Sequence, residues 1–428
     1  MSALNKRLHI RRMILLLLLV RKRRQRLKYR KRFWVRQIYA ERRWKGEFNL
    51  LVRDLMLCDH EYFFRYFRMS PTTFEMLLSW VAPLIKKQST TMREPISPEE
   101  RLSVTLRYLV TGDAQTTISA SYRISPTTVG RIIEETCEVL WNTLLKRGFL
   151  NAPCDEHGWK KIAKEFEQRW NFSHALGALD GKHVVMQAPA RSGSSFFNYK
   201  KTHSIVLLAV CNAKYEFILV DVGDTGRQSD GSVYSNSPLG YAIENKLLNF
   251  PMPESLGHLN KTFPYVFLGD DAFGLKIHIM KPYPNQNLPL DERVFNYRLS
   301  GAHRVFENSF GIATTRLRIF RRPIIATEKK VIKITKAVVA LHNFLMSMRQ
   351  TNDAYNYCPA NYADQDGPIG IDPDEWRHDA ASDGLTPNRH TGSNNYSKNA
   401  KQVRDDFKNH RRSCRLAMAN SHKNSKSS

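Results

Sequence analysis

The sequence predicts two folded parts in series: an all-α segment, then an α/β domain built on a mixed sheet flanked by helices. Three observations carry that expectation. Residues 46–150 repeat one helix-starting pattern three times, each time ahead of apolar residues at helical spacing. From about residue 170 the apolar runs turn short and β-branched, as strands require. Charge collects at the two ends and leaves a nearly balanced body between them.

At 428 residues the chain is long for one core, and 42% apolar with 11% aromatic content lets most of it fold. The net charge of +26 points to a polyanionic partner. Residues 1–45 hold 17 Lys and Arg against Glu41 alone, and residues 395–428 hold nine against Asp405 and Asp406. We read 1–45 as a basic arm suited to nucleic acid or nuclear import, which makes the nucleus the expected compartment. Met13–Val20 (MILLLLLV) is too short to cross a bilayer and runs straight into RKRRQRLKYRKR, so a short helix leading into the arm is expected, and no membrane anchor. Beyond Met348 the chain is rich in Asn, Asp, Ser, Gly and Lys, and 347–428 is expected to be a largely disordered basic tail. The six cysteines form no CxxC pair, which fits a reducing compartment. Cys154 and His157 in CDEH lack a second pair, so no structural zinc site is indicated.

In the helical segment, Ser70-Pro71, Ser97-Pro98 and Ser125-Pro126 each offer a capping hydroxyl followed by proline at the first helical position. Ser97 and Glu100 have capping-box spacing, and Gly112 and Gly148 mark helix ends. A short helix fits AQTTISASYRI, so 97–147 reads helix, short helix, tight turn at Arg123–Ser125, longer helix. That is the order of a helix-turn-helix. Its polar first turn would bring Thr127, Thr128 and Arg131 to DNA; a plain helical bundle would give the same pattern.

In the α/β part, ALGALDGKHVVMQA reads as a strand ending near Asp180, with a sharp turn at Gly181. Residues 204–213 and 217–223 are paired strands turning at Lys214–Tyr215, 237–248 is a helix, and 265–273 is a fourth strand. Long helices follow over 290–317 and 331–345. Three strands, a helix, a fourth strand and then helices is the order of an RNase H-like fold, expected over 170–346.

Asp180, Asp270 and Glu307 stand in apolar settings in HALGALDGKH, YVFLGDDAF and HRVFENSFG. Carboxylates there are costly to desolvate unless a positive charge compensates them. A pair of hard divalent cations, Mg²⁺ or alternatively Mn²⁺, would do so and would also cleave phosphodiesters by a two-metal mechanism. Asp271 is the alternative to Asp270, since neighbouring strand side chains face opposite ways. Asp221, Asp224 and Asp230 fall in a Gly-rich connection, and Asp230 is a further candidate ligand. His183 and Arg304 are candidate DNA contacts, with a structural role open to both. His303 is a weaker one, and His342 reads as core.

Taken together, FWVR (33–36), FFRYFRMSPTTF, MREPISPEERL, RWNF (169–172), ALDGKH (178–183), NYKKTHSIVLLAV, DVGDTGRQSDGSVYSNS, PYVFLGDDAF, FNYRLSGAHRVFENSFG and ALHNFL (340–345) resemble the PIF/Harbinger transposases and the nucleases derived from them. The resemblance covers roughly 1–346. It implies a metal-dependent DNA endonuclease of transposase origin with Asp180, Asp270 and Glu307 as its DDE ligands, acting on DNA such as terminal inverted repeats, with strand transfer within its chemistry. It also implies a separate Myb-like partner protein. The sequence departs from the pattern at Gly274 and Phe306, neither of which removes an acid. The competing expectation is a domesticated DNA-binding or chromatin-associated protein that no longer cuts.

Overall fold

The computed structural model describes residues 3–28, 35–89, 94–256, 261–284, 287–348, 356–359, 362, 365–367, 370–372, 384–387 and 396–410. Helix α1 (Ala3–Lys28) carries both the leucine run and the start of the basic run, so the expected short helix is a single longer one. No helix among the described residues is long and apolar enough to cross a membrane. Short helices α2 (Gln37–Ala40) and α3 (Arg42–Lys45) lead through a π-helical turn at Phe48–Val52 into α4 (Arg53–Cys58) and α5 (His60–Phe67).

Helices α6 (Pro71–Ile85), α7 (Pro98–Thr111) and α9 (Pro126–Lys146) start as their Ser-Pro pairs dictate. Ser70, Ser97 and Ser125 accept from the amides of Thr73, Glu100 and Thr128 at 3.2, 3.2 and 3.4 Å. Glu100 does not return the capping-box bond; its buried carboxylate pairs with Arg42 instead. Gly112 ends α7 at φ 68°, and α8 (Gln115–Tyr122) turns into α9 through Arg123 at φ 53°. After α9, Phe149 and Gly148 donate back to Leu144 and Leu145, a Schellman closure. Helix α10 (Glu156–Trp170) then leads into the sheet.

Strands β1 (Ala175–Val185), β2 (Ser204–Cys211) and β3 (Phe217–Thr225) form an antiparallel meander, with the β2–β3 turn at Tyr215 (φ 70°). Helix α11 (Asp230–Asn236) precedes the expected 237–248 helix, of which α12 (Pro238–Glu244) covers only the first part. A small hairpin, β4 (Glu254–Ser255) with β5 (Thr262–Phe263), precedes β6 (Val266–Leu268) and β7 (Ile279–Met280). The sheet runs β3-β2-β1-β6-β7, with β6 parallel to both β1 and β7. Helix α13 (Leu290–Arg316) is one unbroken helix, followed by a 3₁₀ turn at Arg318–Arg321 and α14 (Glu328–Ser347).

Helical segment and sheet share one hydrophobic core running from Phe48 to Phe407. Helix α14 is the joint. Lys330 Nζ donates to Gly130 O at 2.8 Å, and Lys333 pairs with Glu134 and Glu138 at 3.0 Å each, all on α9. Phe344 meets Trp80 and Phe149 at 5.7 and 5.2 Å. Asn343 donates to the carbonyls of Phe149 and Phe217 at 2.7 and 2.6 Å and accepts from the Phe217 amide, tying three elements at one amide.

The tail departs from expectation where it is described. Two short strands, β8 (Gln365–Gly367) and β9 (Gly370–Asp372), pair together, and β10 (Leu385–Pro387) pairs with β1 at Lys182–Val184. A helix over 398–410 docks on the α/β part, with Phe407 fully buried 6.1 Å from the Phe172 ring and Arg404 4.0 Å over Tyr283. Polar composition misled here because the anchoring contacts are long-range. Residues 373–383, 388–395 and 411–428 of the expected tail lie outside the described residues.

Candidate active site

Strand β1 does not stop at Asp180. It runs on to Val185, paired with β2 throughout, and there is no turn at Gly181. Glycine is required there for another reason: a Cβ would lie 1.9 Å from Asp230 Oδ1. Asp230 is thus packed against the middle of β1 as the first residue of α11, fully buried. Asp221 and Asp224, expected in a connection, lie in β3 opposite Leu208 and Val206.

The parallel pairing of β1 with β6 sets the centre of the site. Its last partners are Ala178 and Leu268, and Asp180 and Asp270 each lie two residues further on. Asp180 lies within β1 and Asp270 just past the end of β6, and the charge of Asp180 acts on the Asp270 carboxyl, so the two lie near one another. The side chain of Asp180 is only 8% exposed; it accepts from the Gly181 amide at 2.7 Å and from Lys182 Nζ at 3.0 Å. Asp270 is half-buried, and its Oδ1 accepts from the Ala272 amide at 2.9 Å. Asp271, the alternative, is exposed, and its backbone carbonyl accepts from Lys281 Nζ at 3.3 Å.

Electrostatics show how close the groups are. Burial, and then the charge of Asp180, push the Asp270 carboxyl up to about 6, with His303 and Lys182 pulling the other way. Burial opposes the Lys182 ammonium, but Asp180, Glu307 and Asp230 outweigh it and hold the lysine protonated above its ordinary range. Lys182 also lies 5.4 Å from the Phe306 ring centroid. It was not among the expected site residues, although its place two residues after Asp180 in a strand was the signal for it.

Helix α13 brings the third acid alongside. His303 Nε2 donates to Leu179 O at 3.0 Å, which pins α13 against β1 beside Asp180. Glu307 follows one turn later on the same row, exposed at the rim of the site. The structure thus brings Asp180, Asp270, Lys182 and His303 together and leaves Glu307 near them but solvated. Among the described residues, no three His, Cys, Asp or Glu side chains close on a common point that could hold an ion. The donor chemistry nevertheless fits a hard divalent cation: two neighbouring carboxylates, one of them raised by burial and by the charge of the other.

Two expected DNA contacts are corrected. His183 is fully buried, facing away from Asp180, with Nδ1 3.0 Å from Ser204 Oγ. Arg304 is 7% exposed within the core side of α13. Neither presents a surface to a phosphate. Thr127 and Arg131 are exposed on the first turns of α9, and Thr128 is half-buried with its hydroxyl 2.7 Å from Ser125 Oγ. His342 is core, as its apolar surroundings implied: burial drives it down to about 4, and Nε2 donates to Tyr215 O.

Known proteins resemble the chain over the region that carries these residues. A family model described as DDE superfamily endonuclease matches residues 179–343, which include all three acids. The cattle protein named "Putative nuclease HARBI1" is 26% identical over 251 residues, 58% of this chain and 67% of its own. Protein ALP1-like of Arabidopsis thaliana is 26% identical over 307 residues, 69% of this chain and 73% of its own. The Arabidopsis protein named Antagonist of Like Heterochromatin Protein 1 is 24% identical over 302 residues, covering 67% and 74%. No solved structure matches the chain. Residues 179–343 thus match the model described as DDE superfamily endonuclease, and the chain is similar to proteins named as Harbinger-derived nucleases, as its motifs led us to expect.

Proposed function

We propose that the protein is a metal-dependent DNA endonuclease of transposase origin, with Asp180, Asp270 and Glu307 as the residues that hold Mg²⁺ or Mn²⁺. One observation carries the reading: the β1–β6 register sets two carboxylates side by side in a partly desolvated place, at a standing electrostatic cost. A divalent cation bound there would supply positive charge to the entering and leaving oxygens of a phosphodiester. In the protein itself, Asp180 and Asp270 form the fixed part of the ligand set. Glu307, one turn beyond His303 on α13, would complete the set from the rim. Lys182 balances the charge of Asp180, and His303 holds α13 in register with β1.

DNA is the substrate in this reading, and the basic ends supply sequence-independent affinity. The α7-α8-α9 segment serves as a helix-turn-helix that offers Thr127, Thr128 and Arg131 to the duplex. Nuclear residence belongs to the same proposal on the basic arm at 1–45, and a Myb-like partner on the family resemblance alone. The second reading, a DNA-binding descendant that no longer cuts, is favoured by the exposure of Glu307.

A nicking assay on terminal-repeat DNA with Mg²⁺ separates the two readings, with Asp180→Ala as control. The expected result is nicking by the parent chain and none by the variant, with DNA binding retained in both. Equal nicking by both would remove Asp180 from the site, and no nicking by either would favour the silent descendant.

A further inference from the structure

An open cavity of about 800 Å³ lies where the end of α10 meets the first half of α13. That volume falls in the ~300–1,000 Å³ range of small-ligand pockets. Its lining combines two features that rarely share a wall unless a ligand needs both. Trp170 and Tyr297 offer aromatic faces, while Arg293 and Arg298 offer positive charge. Trp170 is held in place by its indole N–H, which donates to Ala213 O at 3.3 Å. Tyr297 is 60% exposed and Leu290 72% exposed, so both are open to a ligand in the cavity.

The cavity also shares helix α13 with the third carboxylate. Leu290, Arg293, Tyr297 and Arg298 recur at helical spacing along one face of α13. Ser300 lines the cavity as well and begins the row that continues through His303 to Glu307. Ser300 and Glu307 are two helical turns apart, about 10 Å along the axis. One strand of DNA advances about 3.4 Å of axis per nucleotide, so the cavity lies about three nucleotides from a phosphate held at the acids.

We propose that this cavity holds an unpaired nucleotide of the strand being cut, its base stacked on Tyr297 and Trp170 and its phosphate faced by Arg293 and Arg298. The inference rests on the nuclease reading for its strand but not for its binding. Every base has a π-face, so aromatic stacking tolerates any sequence, and a flanking arginine covers the backbone charge. A base already unpaired costs least to place there.

The test is fluorescence anisotropy of the full chain with a labelled 12-nucleotide single strand and the matching blunt duplex, in EDTA so that no cleavage occurs. Tyr297→Ala is expected to weaken single-strand binding by roughly tenfold or more, the effect of losing one stacked base, and duplex binding by less than twofold. Tyr297→Phe is expected to bind as the parent does. Unchanged single-strand affinity in Tyr297→Ala, or an equal loss on both DNAs, overturns the proposal and leaves the pocket to another class such as an acidic peptide. A parent chain that binds neither DNA overturns both this proposal and the nuclease reading. A chain that binds both and nicks DNA, but ignores Tyr297→Ala, overturns this one alone.

Discussion

Asp270 concentrates the conflict between folding and chemistry in one side chain. The fold holds its carboxyl near 6, above the usual carboxylate range, because of burial and the neighbouring Asp180. A carboxyl raised in this way contributes stability that is present below its unfolded pKa and is lost as pH rises through the folded one. Without metal, the protein therefore carries an ionised, poorly compensated carboxylate above about pH 6. Asp270→Asn is expected to stabilise the metal-free chain at pH 7.5 by about 1–2 kcal/mol, since each pKa unit corresponds to about 1.4 kcal/mol. The gain should fade towards pH 4, where parent and variant are both neutral at this position. Thermal melts in EDTA across that range check it, and a variant that melts lower than the parent at pH 7.5 counts against the assignment. Lys182 makes the opposite case. It is the buried positive charge facing Asp180 at 3.0 Å, so Lys182→Met leaves the acids without their nearest cation. A loss of about 3 kcal/mol is expected, as for other broken buried pairs. Adding Mn²⁺ should restore part of it in denaturant titrations.

Among the elements, β1 carries the site, and the packing of α11 against it is what Gly181 permits. Gly181→Ala would drive a methyl group into Asp230 Oδ1, and an overpacked strand interior costs about 1–3 kcal/mol. The second change Asp230→Ala is expected to recover part of that loss, and melting both variants tests the contact directly. This contact also marks the limit of what the sequence made legible. Helix starts at Ser70, Ser97 and Ser125 were readable because a cap and a proline are local devices. The three strands of the meander were readable from their β-branched runs, and the two aspartates from their apolar settings. Gly181 was misread because a glycine after an acid signals a turn, whereas here it admits a side chain arriving from 49 positions away. The helix over 398–410 was misread for the same reason: its anchors, Phe407 and Arg404, find partners more than a hundred residues upstream. The positions of His183 and Arg304 depended on which face of β1 and α13 turned inward, and in a strand such as β1 a one-residue change in register reverses that.

At the scale of the whole molecule, the docked 398–410 helix braces the start of α13, the helix that carries both Glu307 and the aromatic cavity. Lys408 lies 3.5 Å from Asp291 and 3.6 Å from Glu292 in the first turn of α13. Arg404 Nη1 donates to Pro282 O at 3.2 Å, ahead of that helix. Phe407 fills the space between Phe172 and Phe263, at 6.1 and 5.3 Å. These ion pairs are half-buried and long, whereas Phe407 is fully buried, so the aromatic contact should dominate the docking. Phe407→Ala leaves a cavity beneath the helix, and truncating a buried phenylalanine costs about 3–5 kcal/mol when the whole fold feels it. Because one core joins Phe48 to Phe407, the loss is expected in the global unfolding free energy, as a lower denaturant midpoint in the main transition. Lys408→Ala should shift that midpoint far less. A Phe407→Ala chain with an unchanged midpoint and an early, separate loss of helicity would mean that the helix undocks independently. The first turn of α13, and with it the approach to Glu307, would then be free to move while the rest of the core stays folded.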